Sequence, residues 1–494
     1  MTDPVDTHLG WQRLDRRMLL VHPVRDLVRF LPAVIGLLLF GRTSESGGWW
    51  GAVGVGVPVA LGLARYLTTS YRISAGRVEV RHGLLNKRVV SAPLDRVRTV
   101  DVTASPIHRV LGLVTLRIGT GQSGGRNEER LALDGIAAPA AAALRERLLH
   151  SSSDHDPTET GPAPARRVVL TLDLAWVRFA PLTSSGIVIA GAAVGLVAQS
   201  LHTLAFAPSI DLDKVARLGV ALLLVVGLIG FLVTICVLAV VGYLLTNFGF
   251  QLSHTGADGA WHLRRGLFTT RETTLDDARV SGVSIGEPLG LRSVGGARLS
   301  AIVTGLDRKQ RASSVLVPPA PRAEVDRVAE EVLGLTGPVT APLLTHGPLA
   351  HRRRWTRAMV PAGVLALAAL LAAYAVSWAF LVLALALLAG GAFLARDRWR
   401  GLGHALVDGH LVARSGSLDR RREALHTASV IGWNLRATWF QRRSRLTDLV
   451  ATTAGGRQRV RLLDLDETSA ADLAARATPG LLDQFRAGGG RVGA

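Results

Sequence analysis

The sequence predicts a mixed α+β membrane protein built from three repeats, each a pair of membrane helices followed by a small β-rich domain. Uncharged apolar segments occur in three pairs along the 494 residues. After each pair, the apolar period changes from helical to the two-residue alternation of strands. Related stretches begin at Gly83, Gly266 and Gly416. Repetition at such spacing indicates duplicated structural units.

The apolar pairs set the predicted boundaries. A membrane helix needs about 20 apolar residues, and the second and third pairs supply them without a charged side chain. We therefore divide the chain into an N-terminal segment with two spans (1–65; spans 27–41 and 49–65), a β-domain (66–150), a linker (151–166), a second pair of spans (167–246; 182–207 and 218–246), a second β-domain (247–337), a connector with a third pair (338–395; 358–375 and 378–395), a third β-domain (396–485) and a flexible tail (486–494).

Each β-domain is predicted to contain about seven short strands closed by a C-terminal helix. In the first, Tyr71–Ile73 and Val78–Val80 flank a Ser-Ala-Gly turn and predict a hairpin. In the second and third, the closing helices are predicted at 322–333 and 467–485. This composition favours a small β-sandwich or barrel capped by a helix.

The charge distribution predicts the topology. The chain carries 57 Lys and Arg residues and a net charge of +19. With six spans, the outside loops would hold only Arg42, Lys214 and Arg217. The positive-inside rule therefore places both termini and all three β-domains in the cytoplasm of a multi-pass protein of the cell membrane. Because Cys236 is the only cysteine, an internal disulfide is excluded.

Several motifs carry a family resemblance. Tyr66-Leu-Thr-Thr, Gly83-Leu-Leu, Ala92-Pro-Leu-Asp-Arg-Val-Arg98 and Ser105-Pro-Ile-His-Arg-Val-Leu-Gly-Leu113 resemble the bacterial pleckstrin-homology-like (PH-like) domain of the YdbS/YdbT membrane proteins. The second repeat keeps part of this pattern, such as Pro288-Leu-Gly-Leu291, and the third clearly keeps only Gly416 and Leu425. Three membrane pairs resemble the longer, YdbT-type member, and the resemblance spans nearly the whole chain.

The resemblance implies a PH-like fold, a strongly bent sheet with a C-terminal helix at one end, in each cytoplasmic domain. It implies no catalytic residue and no cofactor. It also implies a small YdbS-type membrane partner, and the family is associated in some bacteria with resistance to antimicrobial peptides. Association with a second copy of the chain is the alternative to such a partner.

Basic residues interleave with the strands of the first β-domain. Docking onto anionic lipid headgroups of the inner leaflet, or onto a partner, is one interpretation. The other is a solvated cytoplasmic surface that only satisfies the positive-inside bias. The candidate contact residues are Arg72, Arg77, Arg81, Lys87, Arg88, Arg96 and Arg98.

Other function classes receive less support. We find no nucleophile–base, metal-ligand or phosphate-loop motif, so we expect no enzyme activity and no bound metal. A transporter or channel component is the alternative, which the uncharged span cores disfavour. The runs Arg420-Arg421-Arg422 and Arg442-Arg443-Ser-Arg445 invite a nucleic-acid hypothesis, but no aromatic stacking pattern accompanies them. We predict a membrane scaffold whose tandem domains contact proteins or anionic lipids.

Overall fold

The computed structural model describes most of the chain beyond residue 99 and shorter stretches before it. The predicted spans 27–41 and 49–65, most of span 182–207, most of the linker and the tail lie outside the described residues. The described residues are 12–13, 15, 17–18, 68, 70–74, 77–82, 88–93, 99–119, 132–141, 144, 166–183, 220–256, 259–304 and 314–481.

We number the elements in chain order. The strands are β1 (Gln12–Arg13), β2 (Ser70–Ser74), β3 (Arg77–His82), β4 (Arg88–Pro93), β5 (Thr99–Ala104), β6 (Leu113–Gly119), β7 (Ala132–Ala137), β8 (Arg166–Thr171), β9 (Gln251–Thr255), β10 (Ala260–Arg265), β11 (Thr270–Asp276), β12 (Val280–Pro288), β13 (Gly296–Val303), β14 (Val315–Pro321), β15 (Gly403–Val407), β16 (His410–Ser415), β17 (Asp419–His426), β18 (Val430–Arg436), β19 (Leu446–Thr453) and β20 (Arg459–Asp466). The α-helices are α1 (Pro106–Val110), α2 (Val220–Asn247), α3 (Leu289–Ser293), α4 (Arg322–Leu333), α5 (Gly337–Thr340), α6 (Gly347–Ala375), α7 (Ala379–Arg400), α8 (Trp439–Arg443) and α9 (Glu467–Ala477).

The first structural unit comprises residues 1–170, 249–276 and 305–313. Its β2 and β3 pair antiparallel with Ser74 opposite Arg77, which confirms the predicted hairpin. Its larger sheet has the order β7-β6-β5-β11-β10-β9-β8. The β5–β11 edge therefore joins strands that lie about 170 residues apart in sequence. Across this edge, the buried hydroxyl of Thr273 donates to Asp101 at 2.8 Å, which helps to fix the register.

The second unit comprises residues 171–248, 277–304 and 314–494. One sheet has the order β14-β13-β12-β17-β16-β15 and a second has the order β18-β19-β20. Side chains of both sheets pack with α9 into one apolar core, which includes Leu411, Leu425, Leu449, Leu462 and Leu473. We call β15–β20 and α9 the C-terminal β-domain.

Helix α9 is amphipathic but shorter than the sequence predicts. Its buried residues follow the helical period along one face, from Ala470 to Ala477. The helix ends there rather than at Phe485, because Pro479 has no N–H group and disfavours a helical conformation at Thr478. The closing helix at 322–333, by contrast, is confirmed as α4.

Two of the aligned glycines have the same backbone role. Gly266, between β10 and β11, has φ +113°, and Gly416, between β16 and β17, has φ +105°. A Cβ at either position would lie about 2 Å from a carbonyl oxygen three residues later, that of Thr269 or Asp419. No side chain fits that space, so each hairpin turn requires glycine.

Three described helices are long and apolar enough to cross a membrane: α2 (from Ile229), α6 and α7. After a break at 376–378, α7 returns along α6 and buries Ala384 against Ala366 and Ala369. A Cβ at Gly391 would lie 2.6 Å from the methyl group of Ala362, so glycine permits the close approach of the two helices. The predicted break is confirmed, although both helices extend beyond the predicted apolar spans into polar sequence.

Candidate membrane-interface site

Three of the predicted contact residues lie on one face of the β2–β3 hairpin. Arg72 stands opposite Glu79 and donates to its carboxylate at 2.6 Å. Arg77 and Arg81 flank Glu79 on the same face, since they lie two positions away along β3. Position 88 is the cross-strand partner of His82. Because His82 is one position away from Arg81, both belong to the opposite face of the sheet. Lys87, Arg96 and Arg98 lie outside the described residues.

A serine, a histidine and an aspartate meet at α1, which the sequence did not single out. The Oγ of Ser105 lies 2.6 Å from Nδ1 of His108, and Nε2 of that buried ring lies 3.2 Å from Asp134. In the C-terminal β-domain the matching series around α8 is Thr438, Gln441 and Asp464. Because glutamine cannot act as a general base, we interpret both series as structural links between a short helix and a strand.

The second of these series includes a buried ion pair with α6. Asp464, with a side chain only 1% exposed, lies 2.9 Å from Nε of Arg353 and 2.7 Å from a terminal nitrogen of Arg354. Gln441 donates to the same carboxylate at 2.8 Å. Asp464 also has φ +56°, a conformation that aspartate and asparagine tolerate better than most residues. These contacts fix the polar start of α6 to the C-terminal β-domain.

Two histidines support the same junction. The ring of His346, just before α6, donates from Nδ1 to the carbonyl of Leu463 at 2.7 Å and lies 5.0 Å from the ring of His404. Burial lowers the pKa of His346, and the hydrogen bond to Leu463 only partly offsets this effect. Burial, with His346 and Arg476 nearby, lowers the pKa of His404 to about 4.

We expect the free energy of unfolding of the C-terminal β-domain to fall as the pH drops from about 6.5 towards 4. The folded state resists protonation of His404, so the unfolded state binds more protons in this range. Between pH 7 and pH 5 the His404 contribution to this loss is about 2 kcal/mol. Replacing His404 with glutamine should remove that part of the loss, measured by hydrogen exchange at both pH values. Equal pH slopes in the two proteins would contradict this assignment.

Helix α8 presents an aromatic pair beside the same junction. Arg353 donates to the hydroxyl of Thr438, the N-cap residue of α8, at 3.3 Å. Trp439 and Phe440 follow, 59% and 66% exposed, with their rings 5.0 Å apart. The guanidinium of Arg443 lies 5.8 Å from the Trp439 ring centroid. Exposed aromatic rings beside arginines are typical of the membrane–water interface.

A second buried carboxylate lies at the far end of α7. Asp397, 6% exposed, accepts from Arg292 of α3 at 2.6 Å and from Arg420 of β17 at 2.7 Å. The hydroxyl of Ser417 donates to its other oxygen at 3.1 Å. This residue is two positions beyond Ala395, the last residue of the predicted span. The start of α6 and the end of α7 are therefore each held to the neighbouring β-domains by buried arginine–aspartate contacts.

Aromatic residues mark both ends of the two helices. Nineteen positions separate Trp355 from Tyr374 in α6, which is about 28 Å at 1.5 Å per residue. Twenty-one positions separate Trp378 from Trp399 across α7, about 31 Å. The hydrocarbon core of a bilayer is about 30 Å thick, and Trp and Tyr concentrate at its two boundaries.

Comparison with known proteins supports the fold. The model of the bacterial PH domain family matches residues 26–152 and 361–477. The two matches are consistent with tandem PH-like domains, and the second includes α8, Asp464 and most of the α6–α7 pair. No curated protein and no solved structure matches the chain.

Proposed function

Because the bacterial PH domain matches include or lie beside candidate membrane helices, we propose that this chain is a non-enzymatic integral membrane scaffold of the YdbT type. In this proposal, six spans in three hairpins carry tandem PH-like domains on the cytoplasmic face. The domains contact anionic lipids of the inner leaflet and a protein partner, either a small YdbS-type membrane protein or a second copy. Such a scaffold would serve the response to envelope stress or to antimicrobial peptides.

The contact between Asp464 and the start of α6 is the observation that best supports this function. A domain on a flexible tether would sample many orientations, whereas the buried ion pairs of Arg353 and Arg354 define one. In that orientation, Trp439 and Phe440 lie next to the polar start of a candidate span. This geometry supports the proposal that the domain is anchored against the headgroups.

Cysteine labelling tests the orientation. In a Cys236→Ser background, we expect Asp472→Cys, on the exposed face of α9, to react with an impermeant maleimide only in inside-out vesicles. Trp378→Cys, at the turn between α6 and α7, is the matched control and should react only in right-side-out vesicles. Reaction of both positions from one side would contradict a spanning pair, and the reversed pattern would contradict a cytoplasmic domain.

Crosslinking in native membranes tests the scaffold role. We expect a discrete partner or a second copy to copurify with the full chain after crosslinking. The control is a Trp439→Ser/Phe440→Ser variant, which should keep protein contacts made elsewhere while losing contact with lipid. Recovery of the monomer alone, with neither a partner nor a second copy, would contradict the scaffold.

A further inference from the structure

Five arginines of the second unit converge where α7 leaves the apolar segment. They belong to elements that are distant in sequence and that meet around the β12–β17 edge. We call them the arginine cluster: Arg292 of α3, Arg322 of α4, Arg414 of β16, and Arg420 and Arg422 of β17.

The strand register places two of these charges in direct opposition. Arg414 is the cross-strand partner of Arg422, and Arg420 lies two positions along β17 on the same face. Like charges directly opposite each other destabilise a sheet. An arrangement that costs stability at an exposed or half-buried position is often a functional one.

Carboxylates neutralise the positive charge of only some of the arginines in the cluster. Arg292 and Arg420 share Asp397, and Arg322 contacts both Glu287 and Asp326. These three carboxylates thus pair with only three of the five guanidinium groups. Arg422 donates instead to the backbone carbonyls of Pro338 and Ala341. Arg414 has no ion-pair partner among the described residues.

Three buried nitrogens of the cluster have no acceptor among the described residues: Nη1 of Arg292 and the Nε atoms of Arg414 and Arg420. A buried donor without an acceptor is costly and calls for an unrecorded partner. Burial, together with Arg292 and Arg322, also lowers the pKa of Arg414. An anion with several acceptor oxygens would relieve both conditions.

The position of the cluster indicates the source of such an anion. Asp397, which binds two of the arginines, follows the apolar part of α7 by two residues, about 3 Å along the helix axis. At that depth lie the phosphate groups of a bilayer, and planar guanidinium groups bind phosphate oxygens in pairs.

We propose that the arginine cluster binds the phosphate group of an anionic phospholipid, with Arg414 as its principal uncompensated contact. The placement at headgroup depth rests on the proposed membrane function. The phosphate chemistry does not, and inorganic phosphate is the soluble source of the same group. The cluster lies between the second and third β-repeats and includes none of the contact residues that the sequence predicts.

The test is a lipid titration of the full chain in detergent micelles. Short-chain phosphatidylglycerol should bind, and Arg414→Gln or Arg422→Gln should weaken this binding by about tenfold or more, since a charge-assisted hydrogen bond contributes about 1.5 to 3 kcal/mol. Arg476→Gln, which removes the same charge from the exposed face of α9, should bind the lipid as wild type does. Without lipid, Arg414→Gln should be at least as stable as wild type, because a like-charge pair is removed.

Equal weakening by Arg476→Gln would overturn the proposal, because the binding would then reflect net charge alone. Unchanged binding in Arg414→Gln and Arg422→Gln would overturn it as well. Competition by inorganic phosphate at equal affinity would overturn the assignment to a lipid. Micelles have no leaflets, so the result of this titration does not depend on the membrane orientation that the labelling experiment tests. The two experiments can therefore fail separately.

Discussion

Replacing Asp464 with asparagine is expected to lower the free energy of unfolding of the C-terminal β-domain by about 3 to 5 kcal/mol. The change leaves Arg353 and Arg354 without their carboxylate in a nearly water-free site. Asparagine adopts positive φ as readily as aspartate does, so the backbone at φ +56° is not strained by the substitution. The effect therefore reports the lost charge. Hydrogen exchange of β19 and β20 in the full chain measures it.

Asp472→Asn provides the matched control. Asp472 pairs with Arg476 at 2.9 Å, but both side chains are about 60% exposed. Exposed pairs of this kind contribute well under 1 kcal/mol. If Asp464→Asn changes exchange no more than the control does, the buried ion pair does not hold the domain to α6.

Replacing Gly282 with alanine is expected to separate β12 from β17 and to cost about 3 kcal/mol or more. Gly282 has φ +155°, and a Cβ there would lie 2.0 Å from the carbonyl oxygen of Ala424 on the neighbouring strand. Backbone atoms cannot move aside without breaking the hydrogen bonds of the edge that joins the two halves of the sheet. Faster hydrogen exchange in β17 should accompany the loss of stability.

Gly432→Ala in β18 is the control, because its backbone is unstrained and the added methyl group meets no atom within 4 Å. It should change the exchange rates little. Protection of β17 that is equal in Gly282→Ala and Gly432→Ala would show that the β12–β17 edge tolerates a side chain and does not depend on close backbone contact.

Local features of the fold were predictable because they depend on neighbouring residues. The β2–β3 hairpin, helix α4 and the break between α6 and α7 follow from turn residues and apolar periods. The early end of α9 was missed although Pro479 was a local signal.

Strand partners were not predictable. A two-residue alternation identifies a strand and its buried face but not its neighbour, so the β5–β11 and β12–β17 edges could not be inferred. The same limit applies to the predicted contact residues, since only three of them are found on one described face and a carboxylate lies among them.

The buried carboxylates depend on long-range contacts. Asp464 meets Arg353 across 111 residues, and Asp397 meets Arg292 across 105. Each aspartate did leave a signal, because an acidic residue inside an apolar strand or at the end of a span needs a partner. That signal identifies a buried charge, but only the fold shows which arginine satisfies it.

The depth of α8 in a bilayer tests the central claim most directly. A spin label at Phe440→Cys, in the Cys236→Ser full chain in nanodiscs, would be compared with one at Asp472→Cys. We predict that the label at position 440 is more accessible to oxygen than to a water-soluble nickel chelate, as at the boundary between headgroups and acyl chains, whereas the label at 472 shows the reverse. Equal access of the nickel chelate to both positions would contradict a PH-like domain held against the membrane.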